Sequence, residues 1–161
     1  MDLSEMNTGV ATVPRHDVDV GKLLGELVEL FDMAAQEKRV DLALSCGPDL
    51  VVAGDFNRLR RAFADVIDNA VKYTGADGRI DIRAEKGASG VSVTVSDTGI
   101  GISKEALPRI FNRFYRANES RGGIGHGLGL SLAAAIVRLH RGEISVESEL
   151  GKGATFRVVL H

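Results

Sequence analysis

The sequence predicts an α+β fold, a two-layer sandwich in which helices cover one face of a mixed, mostly antiparallel sheet. Three observations predict it. Apolar residues recur at spacings of three and four near residues 20–38, 55–74 and 128–140, the period of amphipathic helices. Shorter stretches between and after them alternate apolar with polar, as half-buried strands do. The chain also carries 19 glycines in 161 residues, well above the roughly 7% of an ordinary protein. Gly99, Gly101, Gly122, Gly123, Gly125, Gly127 and Gly129 crowd one stretch; a uniform excess would indicate a loopy chain, whereas this concentration indicates one specialised loop.

Taken in order, residues 1–17 carry no clear period and include Pro14, so they read as a tail, with the domain proper over 18–161. From Val20 to Lys38 a helix presents Leu23, Leu24, Leu27, Val28, Leu30 and Phe31. Two strands follow, Val40–Ser45 and Leu50–Ala53, separated by a turn at Gly47-Pro48. Asp55 is the N-cap of a helix reaching about Thr74, with Gly75 just past its end. Its apolar face holds Leu59, Ala62, Phe63, Val66, Ile67, Ala70 and Val71, and Asp65, Asp68, Asn69 and Lys72 share the opposite side. Ile80–Lys86 and Val91–Asp97 alternate like antiparallel strands about the turn Gly87–Gly90. Residues 98–127 form a long segment with one short helix near Lys104–Ile110, the length of a lid or binding loop. A helix over about Leu128–His140, then strands Glu143–Glu149 and Ala154–Leu160 joined at Gly151–Gly153, complete the chain.

Size and composition exclude several function classes. A chain of 161 residues fits one domain,, and 44% hydrophobic with 26% charged residues is ordinary for a globular protein,. A formal net charge of −2 and a pI near 6.1 argue against a generic nucleic-acid binder, which needs a basic stripe,. No apolar run approaches the roughly 18 residues of a membrane span. The opening MDLSEMNTGV lacks the basic and apolar regions of a signal peptide, so a cytosolic location is expected,. The single cysteine, Cys46, excludes an internal disulfide and a multi-cysteine metal site,, and is expected to be a small core residue. His16, His126, His140 and His161 show no metal-ligand spacing and read as incidental surface or loop residues,.

Three constellations could carry chemistry. Asp65, Asn69 and Lys72, at i, i+4 and i+7, project from one helix face. Their oxygens suit a hard cation such as Mg²⁺ and their ammonium a phosphate, although a solvated helix face reads the same way. Asp97 shares the parity of Val91, Val93 and Val95, so the pleat turns its carboxylate toward the covered face, where a charge needs a partner. A ligand base with an exocyclic amine could supply one while Gly99 and Gly101 let backbone approach the ring; a strand-ending Asp capping its own turn is the alternative. Gly125-His126-Gly127-Leu128-Gly129 opens a helix, whose free N–H groups suit phosphate, although a flexible loop would look alike. No stretch fits a P-loop or a Rossmann fingerprint.

In combination these segments resemble the ATP-binding catalytic domain of bacterial sensor histidine kinases, within the wider family of gyrase- and Hsp90-type ATPases. Asp65-Val-Ile-Asp-Asn69-Ala-Val-Lys72-Tyr73-Thr resembles the N box and Asp97-Thr-Gly-Ile-Gly-Ile the first glycine box. Phe111-Asn-Arg113-Phe114-Tyr-Arg116 resembles the F box, and Gly125-His-Gly127-Leu-Gly129-Leu the second glycine box. The closing stretch from Gly142 through Gly151-Lys-Gly-Ala-Thr-Phe is similar to the family's last hairpin. The likeness covers roughly 18–160 and implies a Bergerat-type fold with a glycine-rich ATP lid.

The resemblance implies roles. Asn69, with Asp65, would ligate Mg²⁺ bridging the phosphates, and Lys72 would contact phosphate oxygens. Tyr73 would sit against the adenine and Asp97 would accept its amine, with Gly99 and Gly101 bordering the base. Gly125, Gly127, Leu128 and Gly129 would hinge the lid and meet the phosphates. Phe111, Arg113 and Phe114 would anchor the lid; Arg116 and Arg121 are further phosphate contacts. Two positions depart from the family: Asp65 stands where kinases often carry Asn and related ATPases a water-activating Glu, and Ala154 where Thr or Ser is common. The family's phosphoacceptor histidine lies on a separate dimerisation domain. His16-Asp17 does not fit it, following Pro14 in a lead-in to the first strand or helix, whereas residues 1–9 resemble the last turns of the dimerisation helix. The chain is therefore expected to be the catalytic piece of a longer kinase, monomeric alone. Its partners would be that acceptor domain and, indirectly, a response regulator, with no nucleic acid, and the parent would be anchored in the bacterial inner membrane. ATP hydrolysis, nucleotide sensing without catalysis and serine phosphorylation of the anti-sigma-factor type are the competing activities.

Overall fold

The computed structural model describes residues 15–112 and 127–161. Among the described residues the elements are β1 (His16–Asp19), α1 (Val20–Glu37), β2 (Asp41–Cys46), β3 (Val51–Gly54), α2 (Phe56–Tyr73), β4 (Arg79–Gly87), β5 (Gly90–Asp97), α3 (Gly127–Leu139), β6 (Glu143–Ser148) and β7 (Ala154–Leu160), with a 3-10 turn at Leu107–Arg109. Five strands form the main sheet in the order β2-β4-β5-β7-β6. β2 runs parallel to β4, and every other pair is antiparallel. β1 and β3 form a separate antiparallel pair.

The sandwich follows from the alternation. Ile80, Ile82 and Ala84 of β4, Val91, Val93 and Val95 of β5, and Phe156, Val158 and Leu160 of β7 are all buried. Their neighbours of opposite parity, such as Arg83, Glu85 and Arg157, are exposed, so only one face is covered. Leu23, Leu24 and Leu27 of α1, Leu59, Phe63 and Ile67 of α2, and Ile136 of α3 close that face. Burying side chains of this size contributes roughly 1.5–3 kcal/mol each, so this layer is where the fold gains its stability.

Capping sets the helix ends. Asp19 Oδ1 accepts from Lys22 N at 3.2 Å, and Asp55 Oδ1 from the N–H groups of Asn57 and Arg58 at 3.0 and 3.3 Å,. α1 and α3 end in left-handed residues, Arg39 and Arg141, followed by N–H bonds back five residues, Val40 to Ala35 O and Gly142 to Val137 O,. Among the described residues no helix is long and apolar enough to cross a membrane.

Several sequence expectations change. Among the described residues strand structure is already present at His16, inside the segment read as a tail, because β1 gains its hydrogen bonds from β3. The strands on either side of Gly47-Pro48 do not pair: β2 joins β4 and β3 joins β1. The short helix near Lys104–Ile110 is only the 3-10 turn. Leu30, placed on the apolar face of α1, is 57% exposed, since it lies at the flank of the buried arc. Cys46 is exposed and not in the core, because β2 is an edge strand whose last residues are uncovered.

Candidate nucleotide site

Asp97 ends the middle strand of the sheet, opposite Ile80 on one side and Ala154 on the other. Its Oδ1 accepts from Gly99 N at 2.8 Å and from Ala154 N at 3.2 Å. Both donors are backbone, so the carboxylate is held by the sheet end and not by a mobile side chain. Among the described residues Oδ2 receives no hydrogen bond, which leaves one oriented acceptor. Burial pushes the carboxyl above its ordinary range, and the two N–H bonds pull against that,. The turn-capping reading of Asp97 is realised through Oδ1, and Oδ2 accepts no hydrogen bond among the described residues.

Three elements converge on this turn. Ile100 N donates to the Tyr73 carbonyl at 3.2 Å, joining it to the C-terminus of α2. Gly151 N donates to Ile100 O at 2.8 Å, joining it to the β6–β7 hairpin, and Ile102 N donates to Ser148 Oγ at 2.8 Å, which itself donates to Gly153 O at 2.6 Å. A Cβ at Gly99 would strike the Tyr73 carbonyl oxygen, and one at Gly153, where φ is +86°, the Asp97 carbonyl oxygen,. Gly101, at φ +76°, lies equally close to Glu149 O.

The α2 face behaves differently. Asn69 is buried at 8% exposure although it belongs to the polar side. At 100° per residue it stands about 20° from Ala62, at the margin of the apolar arc. Among the described residues its carboxamide makes no hydrogen bond. Asp65, one turn earlier with a side chain 19% exposed, pairs with Arg61 at 3.2 Å. Burial raises the Asp65 carboxyl, while the Arg61 charge lowers it. Lys72 pairs with Asp68 at 3.1 Å, and burial raises the half-buried Tyr73 phenol. Lys38, at the end of α1, donates to the carbonyls of Val71 and Lys72 at 2.7 and 3.0 Å and so satisfies the end of α2,.

The structure therefore brings Asn69, Tyr73, Asp97, Gly99 and Gly101 onto neighbouring elements, with Asp65 and Lys72 on the same helix. Phe111 meets Phe156 edge-on with ring centroids 6.2 Å apart. Gly127, Leu128 and Gly129 form the first turn of α3. Arg113, Phe114, Arg116, Arg121, Gly125 and His126 lie outside the described residues, as do residues 1–9. Sequence reasoning missed Arg61 and Lys38; an i, i+4 Arg–Asp spacing was the available signal for the first, whereas nothing local announces the second. It also misread His140, which is buried at 5% exposure and not a surface residue. His16 is an exposed strand residue, and His161 meets the Ser89 carbonyl.

Residues 54–161 match the family described as histidine kinase-, DNA gyrase B-, and HSP90-like ATPase. The Probable sensor protein PcoS of Escherichia coli is 38% identical over 160 residues, 98% of this chain and 34% of that protein. The Sensor histidine kinase RppB of Synechocystis is 41% identical over 141 residues, 86% of this chain and 31% of that protein. The chain thus spans about a third of the length of the curated relatives it matches. Among solved structures, the catalytic domain of histidine kinase ThkA superposes with a TM-score of 0.80 at 26% identity, covering 91% of this chain and 94% of that one. Full-length ShkA in complex with AMPPNP gives 0.82 at 31% identity, covering 97% of this chain and 33% of that one. The chain belongs to the histidine kinase-, DNA gyrase B- and HSP90-like ATPase family.

Proposed function

We propose that this chain is the ATP-binding catalytic domain of a sensor histidine kinase, which holds Mg·ATP and presents its γ-phosphoryl group to a histidine on a dimerisation domain outside the chain. The observation that carries it is Asp97, with Oδ1 fixed by two backbone donors and Oδ2 left as an acceptor beside Gly99 and the end of α2. That oxygen accepts the adenine amine, and a base lacking the amine leaves a half-buried carboxylate unpaired. Such a site discriminates strongly, by up to 10⁴–10⁵ in favourable cases, so ATP is preferred over GTP.

The donor set fits Mg²⁺. The Asn69 carboxamide oxygen, at the margin of burial, would be one ligand, and the Asp65 carboxylate, paired with Arg61 in this structure, would be the second. Two oxygen ligands from protein, with phosphates and water completing the shell, is the ordinary arrangement for this ion. When bound it neutralises phosphate charge, as phosphoryl transfer requires. Tyr73 flanks the base, and Lys72 and the first turn of α3 at Gly127, Leu128 and Gly129 meet the phosphates, with Phe111 packed against Phe156 nearby; the other candidate phosphate and lid residues, Arg113, Phe114, Arg116, Arg121 and Gly125, lie outside the described residues. Catalysis then consists of positioning and charge neutralisation, and the acceptor histidine's base comes from its own domain. ThkA, solved in complex with a response regulator protein, supports a response regulator as the downstream partner.

Calorimetric titration with ATP, with and without Mg²⁺, tests this reading. Saturable, metal-sensitive binding that weakens at least tenfold in Asn69→Ala is expected, about the worth of one lost charge-assisted contact. ATP hydrolysis is a second reading, favoured by the half-buried Asp65 carboxylate; it requires steady phosphate release that disappears in Asp65→Asn.

A further inference from the structure

We propose that His140 is a proton-sensitive positioning residue that locks α2 and α3 in the register the nucleotide site needs. The proposal rests on the nucleotide reading above, in which α2 supplies Asn69 and the start of α3 meets the phosphates. His140 follows the last turn of α3, and its two ring nitrogens span the gap to α2. Nδ1 lies 2.8 Å from Ile136 O, a group that can only accept, so Nδ1 carries the hydrogen and donates,. Nε2 accepts from Asp55 N at 3.0 Å, so Nε2 carries none. The two partners together dictate the neutral Nδ1–H tautomer. A proton added at Nε2 would set a donor against the Asp55 N–H and break the hydrogen bond that joins the end of α3 to the N-cap of α2.

The surroundings leave the ring no alternative position. It is 5% exposed, and a Cβ on Gly54 would stand 2.6 Å from its Cδ2, so β3 packs its backbone against the ring edge. Charged groups face it from three sides. Burial opposes protonation most, the Ile136 carbonyl and Asp55 favour it, and Arg15 ahead of β1 and Arg58 of α2 oppose it further, with a net displacement below the ordinary histidine value. The sign follows. The unfolded chain takes up the proton first as pH falls through about 6.5, so folded stability is complete above that pH and declines below it. Before the domain unfolds, the fraction of molecules with α2 and α3 in register declines, and apparent ATP affinity declines with that fraction.

The test is calorimetric titration of the 161-residue chain with ATP at saturating Mg²⁺ between pH 8 and pH 5.5, beside His140→Gln. Glutamine offers an amide oxygen near the Nε2 position and does not titrate. At pH 8 the two proteins should bind within a factor of about two of each other. At pH 5.5 the wild type should have lost several-fold more affinity than the variant, part of the tenfold that a one-unit difference between bound and free forms reaches only well below both values. Protonation of ATP itself cancels in that ratio. A variant that tracks the wild type across the range overturns the proposal, whatever the two melting curves do, and absence of saturable binding at pH 8 removes the nucleotide reading and this proposal with it. A second measurement needs no variant: by linkage, saturating Mg·ATP must lower the midpoint of the His140 ring titration followed by NMR, and equal midpoints with and without ATP overturn the proposal equally.

Discussion

The two ends of the site are built by different means. At the base end, Asp97, Gly99, Gly101 and Gly153 are held by main-chain hydrogen bonds among β5, β7, the end of α2 and the hairpin before β7, with no room for a Cβ at three of the glycines. At the metal end, Asp65, Asn69 and Lys72 ride on one helix face, and two of the three are engaged in i, i+4 ion pairs with Arg61 and Asp68. Backbone-held geometry is stiff, because moving one atom moves a sheet register. Side-chain pairs on a half-exposed helix exchange partners at little cost. On the proposed reading, recognition of the base is thus preorganised, whereas the metal and phosphate end is free to rearrange when ligand arrives.

The sharpest way to break this contrast is Gly153→Ala. At φ +86°, and with a Cβ driven into the Asp97 carbonyl oxygen, the substitution should cost about 3 kcal/mol or more in urea unfolding. A loss below about 1 kcal/mol would mean that the hairpin yields and that the base end is not rigid. Next in size, Asp97→Ala should weaken ATP binding by about ten- to a hundredfold, the worth of a hydrogen bond to a charged group; unchanged affinity would remove Asp97 from base recognition. Asp97→Asn separates binding from stability. The folded carboxyl sits above its ordinary value, so the native state holds that proton more tightly than the unfolded chain, and stability contributed by Asp97 is present at low pH and lost as pH rises through the folded value. The Asn variant should therefore melt no lower than the wild type at pH 7 and lose its advantage near pH 4. The smallest effect is expected from Arg61→Gln. Its partner is half-buried but Arg61 is 60% exposed, so screening limits the loss to a few tenths of a kcal/mol; a loss above about 1.5 kcal/mol would place the metal end in the same rigid class as the base end.

Much of the fold was legible. Asp55 caps as its position predicts, β4 and β5 pair about Gly87–Gly90, and β6 and β7 pair about Gly151–Gly153. The inward turn of Asp97 followed from parity alone. The failures share a cause. β1 has one buried residue in four, too few to show a period, and it exists as a strand because β3 lies beside it. Cys46 and Leu30 have the chemistry of core residues, yet one stands at the end of an edge strand and the other at the flank of a helix. His140 is a polar residue at a helix end like many others until Asp55 arrives from 85 positions away in sequence.

What the sequence determined by itself is local: where helices start, which face of each is apolar, where glycine must relieve a turn, and in what order the four motifs come. Those features depend on neighbours within a turn or two, and their period survives without a partner. The tertiary structure alone decided which strands pair, that Asn69 is drawn under the edge of the helix face while Asp65 is held by Arg61, and that His140 joins two helices. A buried polar group is defined by what covers it and what bonds to it, and both come from distant segments of the chain.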